Sequence, residues 1–114
     1  MTLAQLQRQL LKIQTELSTL GSIHPGSLSE QYNVCGTPGC HCKDAKKPQK
    51  HGPYYQLNYT WRGKSRTRFV RAPELERMQE KLVNYKRFRE LTVEWVDVAI
   101  ALEALEREEA RQAS

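Results

Sequence analysis

An apolar repeat in the last third of the chain is the feature that most constrains the fold. Its side chains recur at spacings of three and four residues, at Leu75, Met78, Leu82, Tyr85, Phe88, Leu91, Trp95, Val98, Leu102 and Leu105. This spacing predicts an amphipathic helix over residues 73–111, which begins at Pro73 because proline is favoured in the first helical turn. About 35 residues at 1.5 Å each make a helix roughly 50 Å long. A chain of 114 residues can bury one face of such a helix only if a second helix runs beside it.

The N-terminal residues predict that second helix. Leucine and isoleucine are again spaced by three and four residues, at Leu3, Leu6, Leu10, Ile13, Leu17 and Leu20. The pattern predicts a helix over residues 3–20, with Gly21 as its C-terminal stop. A helix of this length covers about half of the longer one.

The uncovered half of the long helix predicts a homodimer. Its apolar residues exceed what the first helix can cover, so we expect a coiled coil with a second copy of the chain. The residues assigned to this dimer are Leu91, Trp95, Val98, Leu102 and Leu105. The alternative is a helical hairpin within one chain, in which the seam has no outside partner.

A cluster of cysteines between the two helices predicts a metal site. Cys35, Cys40 and Cys42 lie within eight residues, and His51 follows nine residues later. An odd number of closely spaced cysteines argues against a disulfide framework. Turn-forming residues between the first two cysteines can aim both sulfurs at one point. We therefore predict one structural zinc ion bound by these four residues.

The identity of the histidine ligand has an alternative in this sequence. His24, in the preceding loop, is the alternative to His51 as fourth ligand, and His41 is expected to point away from the metal. The alternative interpretation has no metal: three reduced cysteines pack in a loop, and His51 is an ordinary surface residue.

Residues 54–70 predict a β-hairpin, because two runs rich in aromatic and β-branched residues flank a turn. We expect a three-residue loop of Trp61, Arg62 and Gly63, since this register separates an apolar face from a polar one. A two-residue turn would place Leu57 opposite Arg68 and mix the two faces. In the favoured register the polar face carries Gln56, Asn58, Lys64, Arg66 and Arg68.

The charge of the chain is concentrated in its middle. The formal net charge is +5, and residues 43–71 carry nine basic side chains against one acidic side chain, Asp44. A basic segment between neutral and acidic ones is typical of a surface that binds a polyanion. The alternative is a solvated surface that only keeps the protein soluble.

The basic hairpin predicts a nucleic-acid surface. A two-stranded ribbon fits the major groove of B-DNA, where arginine reads guanine and side-chain amides read adenine. Lysines in the loop before the hairpin would contact phosphates. The residues of this predicted surface are Lys43, Lys46, Lys47, Lys50, Gln56, Asn58, Lys64, Arg66 and Arg68.

The sequence argues against catalysis and against a membrane. It contains no paired carboxylates, nucleophile–base pair or phosphate-binding glycine loop, so we expect a protein that is not an enzyme. No apolar run approaches the roughly 18 residues of a membrane span. Residues 1–20 lack the apolar core of a signal peptide, which favours a cytoplasmic protein.

Part of the chain carries a familiar pattern, in the stretches GSLSEQYNVCG, PGC, HGPYYQL and GKSRTRFV within residues 26–70. It resembles an uncharacterised family of small bacterial proteins, a domain of unknown function often met beside transposase and other mobile-element genes. The resemblance marks a cysteine–histidine motif and a basic hairpin, formed by Cys35, Cys40, Cys42 and His51 and by Gly63, Lys64, Arg66 and Arg68. It implies no established activity, and it implies DNA or a transposase as partner by association alone.

The predicted fold class is α+β, in a single domain over residues 1–114. A zinc-stapled β-hairpin module over 30–71, to which residues 30–34 can add a third strand, lies between helices over 3–20 and 73–111. The predicted function is non-catalytic binding of nucleic acid, foremost duplex DNA, by an accessory or regulatory protein of a mobile element or phage. The alternative is a protein–protein adaptor whose helices bind a partner and whose zinc only stabilises the fold.

Overall fold

Two helices flank a small antiparallel sheet in the computed structural model, which describes residues 1–33, 37–44 and 50–113. The elements are α1 (Leu3–Thr19), β1 (Ser27–Asn33), a short 3-10 helix (His41–Lys43), β2 (His51–Trp61), β3 (Lys64–Val70) and α2 (Ala72–Ala113). The predicted α+β class, both helices and the third strand are confirmed. The chain forms two compact units: residues 24–82 make one, and residues 1–23 with the chain from Val83 onward make the other.

Helix α1 begins at a capping box, which satisfies backbone groups that the first turn leaves free. The hydroxyl of Thr2 accepts a hydrogen bond from the backbone N–H of Gln5, and the Gln5 side chain accepts one from the backbone N–H of Thr2. The helix ends where Leu20 turns extended and donates its N–H to the carbonyls of Glu16 and Leu17.

The core of the first unit lies between α1 and the later part of α2. Its buried residues are Leu6, Ile13, Leu91, Val98 and Leu102. Leu3, Leu10, Leu17, Leu20, Ala101 and Leu105 pack against them. Every apolar position of the predicted seam on α1 therefore contributes to packing within the chain.

Most of the residues assigned to the predicted dimer seam pack against α1 within the chain. Leu91, Val98 and Leu102 are buried against α1, and Leu105 packs on the same cluster. Trp95 is the exposed member of the predicted set. The 17 residues of α1 are enough to cover α2 from Leu91 to Leu105, so one chain can bury this seam by itself.

The sheet covers the early apolar residues of α2, so α1 has a shorter apolar stretch to cover than the sequence predicted. The early turns of α2 bury Met78 against Leu57 and Val70 of the sheet. Leu28, Tyr55, Tyr59 and Leu82 pack around these three residues. The apolar repeat of α2 thus serves two cores in succession, first on the sheet and then on α1.

The three strands are ordered β1-β2-β3, and both pairs are antiparallel. Strand β1 starts three residues earlier than the predicted third strand, and its last pair joins Asn33 to His51. Central strand β2 therefore presents His51 at one end of the sheet and leads to the hairpin turn at the other.

The predicted three-residue hairpin loop is wrong. Trp61 pairs with Lys64, so Arg62 and Gly63 alone form the turn. Their φ angles are 51° and 77°, and a type I′ turn requires positive φ at both central residues. Leu57 consequently lies opposite Arg68. This mixed face is tolerated because only Val70 of β3 is buried, so the strand needs no continuous apolar face.

Within the part of the chain that the structure describes, no helix is both long and apolar enough to cross a lipid bilayer.

Candidate metal centre and hairpin surface

A tight turn sets the position of the first described cysteine. The backbone N–H of Cys40 donates to the carbonyl of Thr37 at 3.4 Å, and the turn between them contains Pro38 and Gly39. Gly39 has a φ of 77°, and proline followed by a residue with positive φ is the signature of a type II turn. Cys40 then caps the short 3-10 helix, whose next residues include Cys42.

Three predicted ligands converge at this point. The sulfurs of Cys40 and Cys42 and a ring nitrogen of His51 all lie within 4.8 Å of one another. The Cys40 Sγ is 3.3 Å from His51 Nε2. Tetrahedral zinc with ordinary bond lengths would hold a sulfur and a nitrogen about 3.6 Å apart. The cluster can therefore hold a metal ion.

Burial favours this use of the cluster. Cys42 is 1% exposed, while Cys40 and His51 are half-buried. Two thiols and an imidazole are the donor set that zinc prefers, and burial keeps competing water away from one side. The fourth predicted ligand, Cys35, lies outside the described residues.

The position of His51 is set by the close approach of the β1 and β2 backbones. His51 begins β2 and pairs with Asn33 of β1. The next residue, Gly52, has a φ of 142°, and a Cβ there would lie 2.8 Å from the Gln31 carbonyl oxygen and 2.9 Å from the Tyr32 ring. Only glycine fits this position, so β1 and β2 approach each other closely beside the cluster of Cys40, Cys42 and His51.

His24 is not the alternative fourth ligand. Its Nδ1 donates to the Pro25 carbonyl at 2.6 Å, and its ring packs edge-on against Tyr59 with centroids 4.8 Å apart. Tyr59 is eight residues from His51 along β2, roughly 26 Å at 3.3 Å per residue. The two histidines therefore serve opposite ends of the sheet.

The sequence predicted that His41 points away from the metal, but in the structure it lies beside the cluster. Its Nδ1 lies 3.9 Å from the Cys40 sulfur, and its ring centroid is 5.5 Å from that of His51. In a 3-10 helix successive side chains are about 120° apart, whereas a strand would have turned this one to the opposite side. His41 is exposed and forms the outer rim of the site.

The corrected hairpin register divides the predicted nucleic-acid surface between two faces of the sheet. Directly paired residues share a face, so Lys64, Arg66 and Arg68 lie on the face of Leu57 and Tyr59. The amides Gln56 and Asn58 lie on the opposite face, where each hydrogen-bonds to a neighbouring strand.

The cations of the hairpin differ in their surroundings. Arg68 forms an ion pair of 3.6 Å with Glu74 at the start of α2. Lys64 and Arg66 are exposed and pair across the hairpin with Trp61 and Tyr59. Lys43 and Lys50 are also exposed, whereas Lys46 and Lys47 lie outside the described residues.

Sequence reasoning missed two residues at the hairpin tip. Trp61 and Arg62 are both exposed, although we had assigned them only to a loop. The tip therefore combines an indole ring with the cations Arg62, Lys64 and Arg66. The available signal was Gly63, because glycine at the second position permits the positive φ of a two-residue turn.

A family model named Domain of unknown function (DUF6788) matches residues 3–80. The chain belongs to DUF6788. The predicted membership of an uncharacterised family is thereby confirmed. The DUF6788 match covers α1, the sheet, the cluster of Cys40, Cys42 and His51, and the first turns of α2. No curated protein and no solved structure is significantly similar to this DUF6788 chain.

Proposed function

We propose that this chain is a non-catalytic, zinc-stabilised protein that binds duplex DNA through its β2–β3 hairpin. The observation that carries the proposal is the hairpin tip, where Trp61, Arg62, Lys64 and Arg66 are exposed. Residues 61–71 contain five basic side chains and no carboxylate. Such a concentration of cations favours a polyanion as the ligand.

The hairpin suits a groove better than a flat surface. A two-stranded ribbon is narrow enough for the major groove of B-DNA, where arginine can contact guanine edges. The cations Lys64 and Arg66 share one face, so both can follow one wall of the groove. Arg68 is expected to contribute less because it already pairs with Glu74.

Lysines near the cysteine–histidine cluster would extend the proposed DNA-binding surface. Lys43 and Lys50 would contact phosphates and raise the affinity for any sequence. Lys46 and Lys47 lie between them in the chain and would add to this effect. The proposed setting is the cytoplasm, with the protein as an accessory factor of a mobile element or phage.

The metal in this proposal is zinc, with Cys35 as fourth ligand. Cys35 is two residues beyond Asn33, which pairs with His51, and two residues of chain reach at most about 7 Å. Four protein ligands leave no open position for a substrate, so the ion would be structural. It would tie the open end of β1 and β2 to the loop that contains the cysteines.

The test is DNA binding by a hairpin variant and by a charge-matched control. We expect the wild type to bind duplex DNA with a log–log salt slope of about −4 to −5, as for about five neutralised phosphates. The double variant Lys64→Ala/Arg66→Ala should bind more weakly, and its slope should shrink in magnitude by about 2. Fluorescence anisotropy with labelled duplex, single-stranded DNA and RNA measures both quantities.

The control variant, Arg8→Ala/Lys12→Ala, removes the same charge from exposed positions on α1. It should bind nearly as the wild type does. Equal weakening by both double variants would attribute binding to net charge and contradict the hairpin surface. A wild type without salt-dependent binding to any of the three nucleic acids would favour the adaptor function instead.

A further inference from the structure

Helix α2 carries a second apolar face that no described residue covers. Val93, Val96 and Ile100 are 62%, 57% and 66% exposed, and they are spaced by three and four residues. Ala99 lies among them, and Trp95 borders the same shallow groove. A seam of this spacing is typical of a helix that packs against another helix.

This face lies opposite the one that α1 covers. At 100° per residue, Val96 and the buried Val98 are about 200° apart around α2. The other buried positions, Leu91 and Leu102, lie on the same side as Val98. A helix that is apolar on two opposite sides needs a neighbour on each, and α1 supplies only one.

We infer that the second face binds a second copy of this chain, with the two α2 helices antiparallel. Charge decides the partner and the direction. Arg89 lies seven residues before Val96 and Glu103 lies seven residues after it, both exposed on this face. Neither forms an ion pair with any described residue. The face therefore has a cation before its apolar middle and a carboxylate after it, with Arg107 one turn beyond Glu103 along the same groove.

Such a face is complementary to itself only when one copy is turned end to end. With Val96 close to the two-fold axis, Arg89 of one copy lies opposite Glu103 of the other, and this pair occurs twice. Val93 then packs near Ile100 of the second copy. A parallel pair would instead place each of the charged residues beside its own like-charged copy.

The first test compares two substitutions of valine by glutamate on the same helix. Sedimentation equilibrium of the full-length protein at tens of micromolar should report a wild-type dimer. Val96→Glu should be monomeric, because two carboxylates would face each other at the axis. Val83→Glu is the matched control, since Val83 is 66% exposed but lies on a different side of α2. It should remain dimeric.

The second test fixes the direction and does not depend on the folding of Val96→Glu. Arg89→Glu and Glu103→Arg should each raise the dimer dissociation constant by about tenfold, because two attractive pairs become repulsive. The combined variant should restore wild-type affinity. A monomeric wild type, or a dimer unaffected by Val96→Glu, would overturn the inference. Failure of the combined variant to restore association would overturn the antiparallel arrangement.

Discussion

Arg87 joins the two helices of the first unit through one carboxylate. Its guanidinium makes two hydrogen bonds to Glu16 of α1, of which Nη2 to Oε1 measures 2.9 Å. It also contacts Glu90 and Glu94 on its own helix. The hydrogen bonds from Arg87 lower the pKa of Glu16 below its ordinary value of 4.5, and those same contacts raise the pKa of Arg87.

The lowered pKa of Glu16 predicts an acid-sensitive contribution to stability. A depressed folded-state pKa stabilises the fold above the unfolded value and loses that effect as pH falls through the folded value. We expect the free energy of unfolding of the wild type to decline below about pH 4.5, partly through this pair. Glu16→Gln should flatten that decline and leave stability at pH 7 slightly lower. Chemical denaturation at several pH values measures this, and an unchanged pH profile would contradict the role of the pair.

The two half-buried histidines allow a matched test of the metal site. One zinc ion per chain is expected in the wild type, and Cys35→Ser should weaken zinc binding if Cys35 is the fourth ligand. His51→Ala should lower the zinc affinity at least about tenfold, as expected when a ligand is lost. His24→Ala should retain full zinc content, since its ring contacts Tyr59 about 26 Å away. Competition with a chromogenic chelator gives the affinities, and equal loss in both variants would contradict the assignment.

At the scale of elements, the helices were more predictable than the hairpin. Spacings of three and four residues persist over many turns in both helices, so errors at single positions do not change the prediction. The hairpin register depended on whether Trp61 belongs to the strand or to the loop, because a turn one residue longer shifts every cross-strand pair by one residue. We chose it by apolar pattern, whereas the backbone conformation of Arg62 and Gly63 decided it.

The central strand depends on one fully buried side chain. Leu57 is 0% exposed and contacts the core formed with Val70 and Met78. Leu57→Ala should lower the free energy of unfolding by about 2–5 kcal/mol through lost contacts and a cavity. Leu11→Ala, on the exposed side of α1, should change it by less than about 0.5 kcal/mol. Urea denaturation compares the two, and a similar cost for both would contradict the core assignment.

For the whole molecule, the sequence indicated the apolar surfaces without indicating which of them meet. The repeat of α2 predicted one long interface, but the sheet takes its first part and α1 the remainder. Val93, Val96 and Ile100 were not part of that repeat, because a single seam already accounted for the helix. Three residues of the candidate metal site, Cys40, Cys42 and His51, were predictable from residue type and spacing, while the orientation of His41 depended on a local 3-10 turn.

The two cores predict different responses to metal removal. The described core residues between α1 and α2 include no candidate metal ligand, whereas His51 lies in the sheet of the other unit. A chelator should therefore accelerate amide exchange in β1 and β2 near Asn33 and His51, and it should leave the helical circular dichroism largely unchanged. Loss of most helical signal on chelation would contradict this separation.

Under the proposed DNA binding, the positive φ of Arg62 is a trade-off between stability and recognition. A side chain other than glycine or asparagine in this left-handed region costs about 1 kcal/mol, and asparagine is favoured at this turn position. The chain thus tolerates a less stable hairpin and gains a cation at its most projecting point. Arg62→Asn should unfold at a higher temperature than the wild type and yet bind duplex DNA more weakly, with its salt slope reduced by about 1. Under that function the charge of Arg62 offsets the cost of its backbone conformation, which stability alone would not favour.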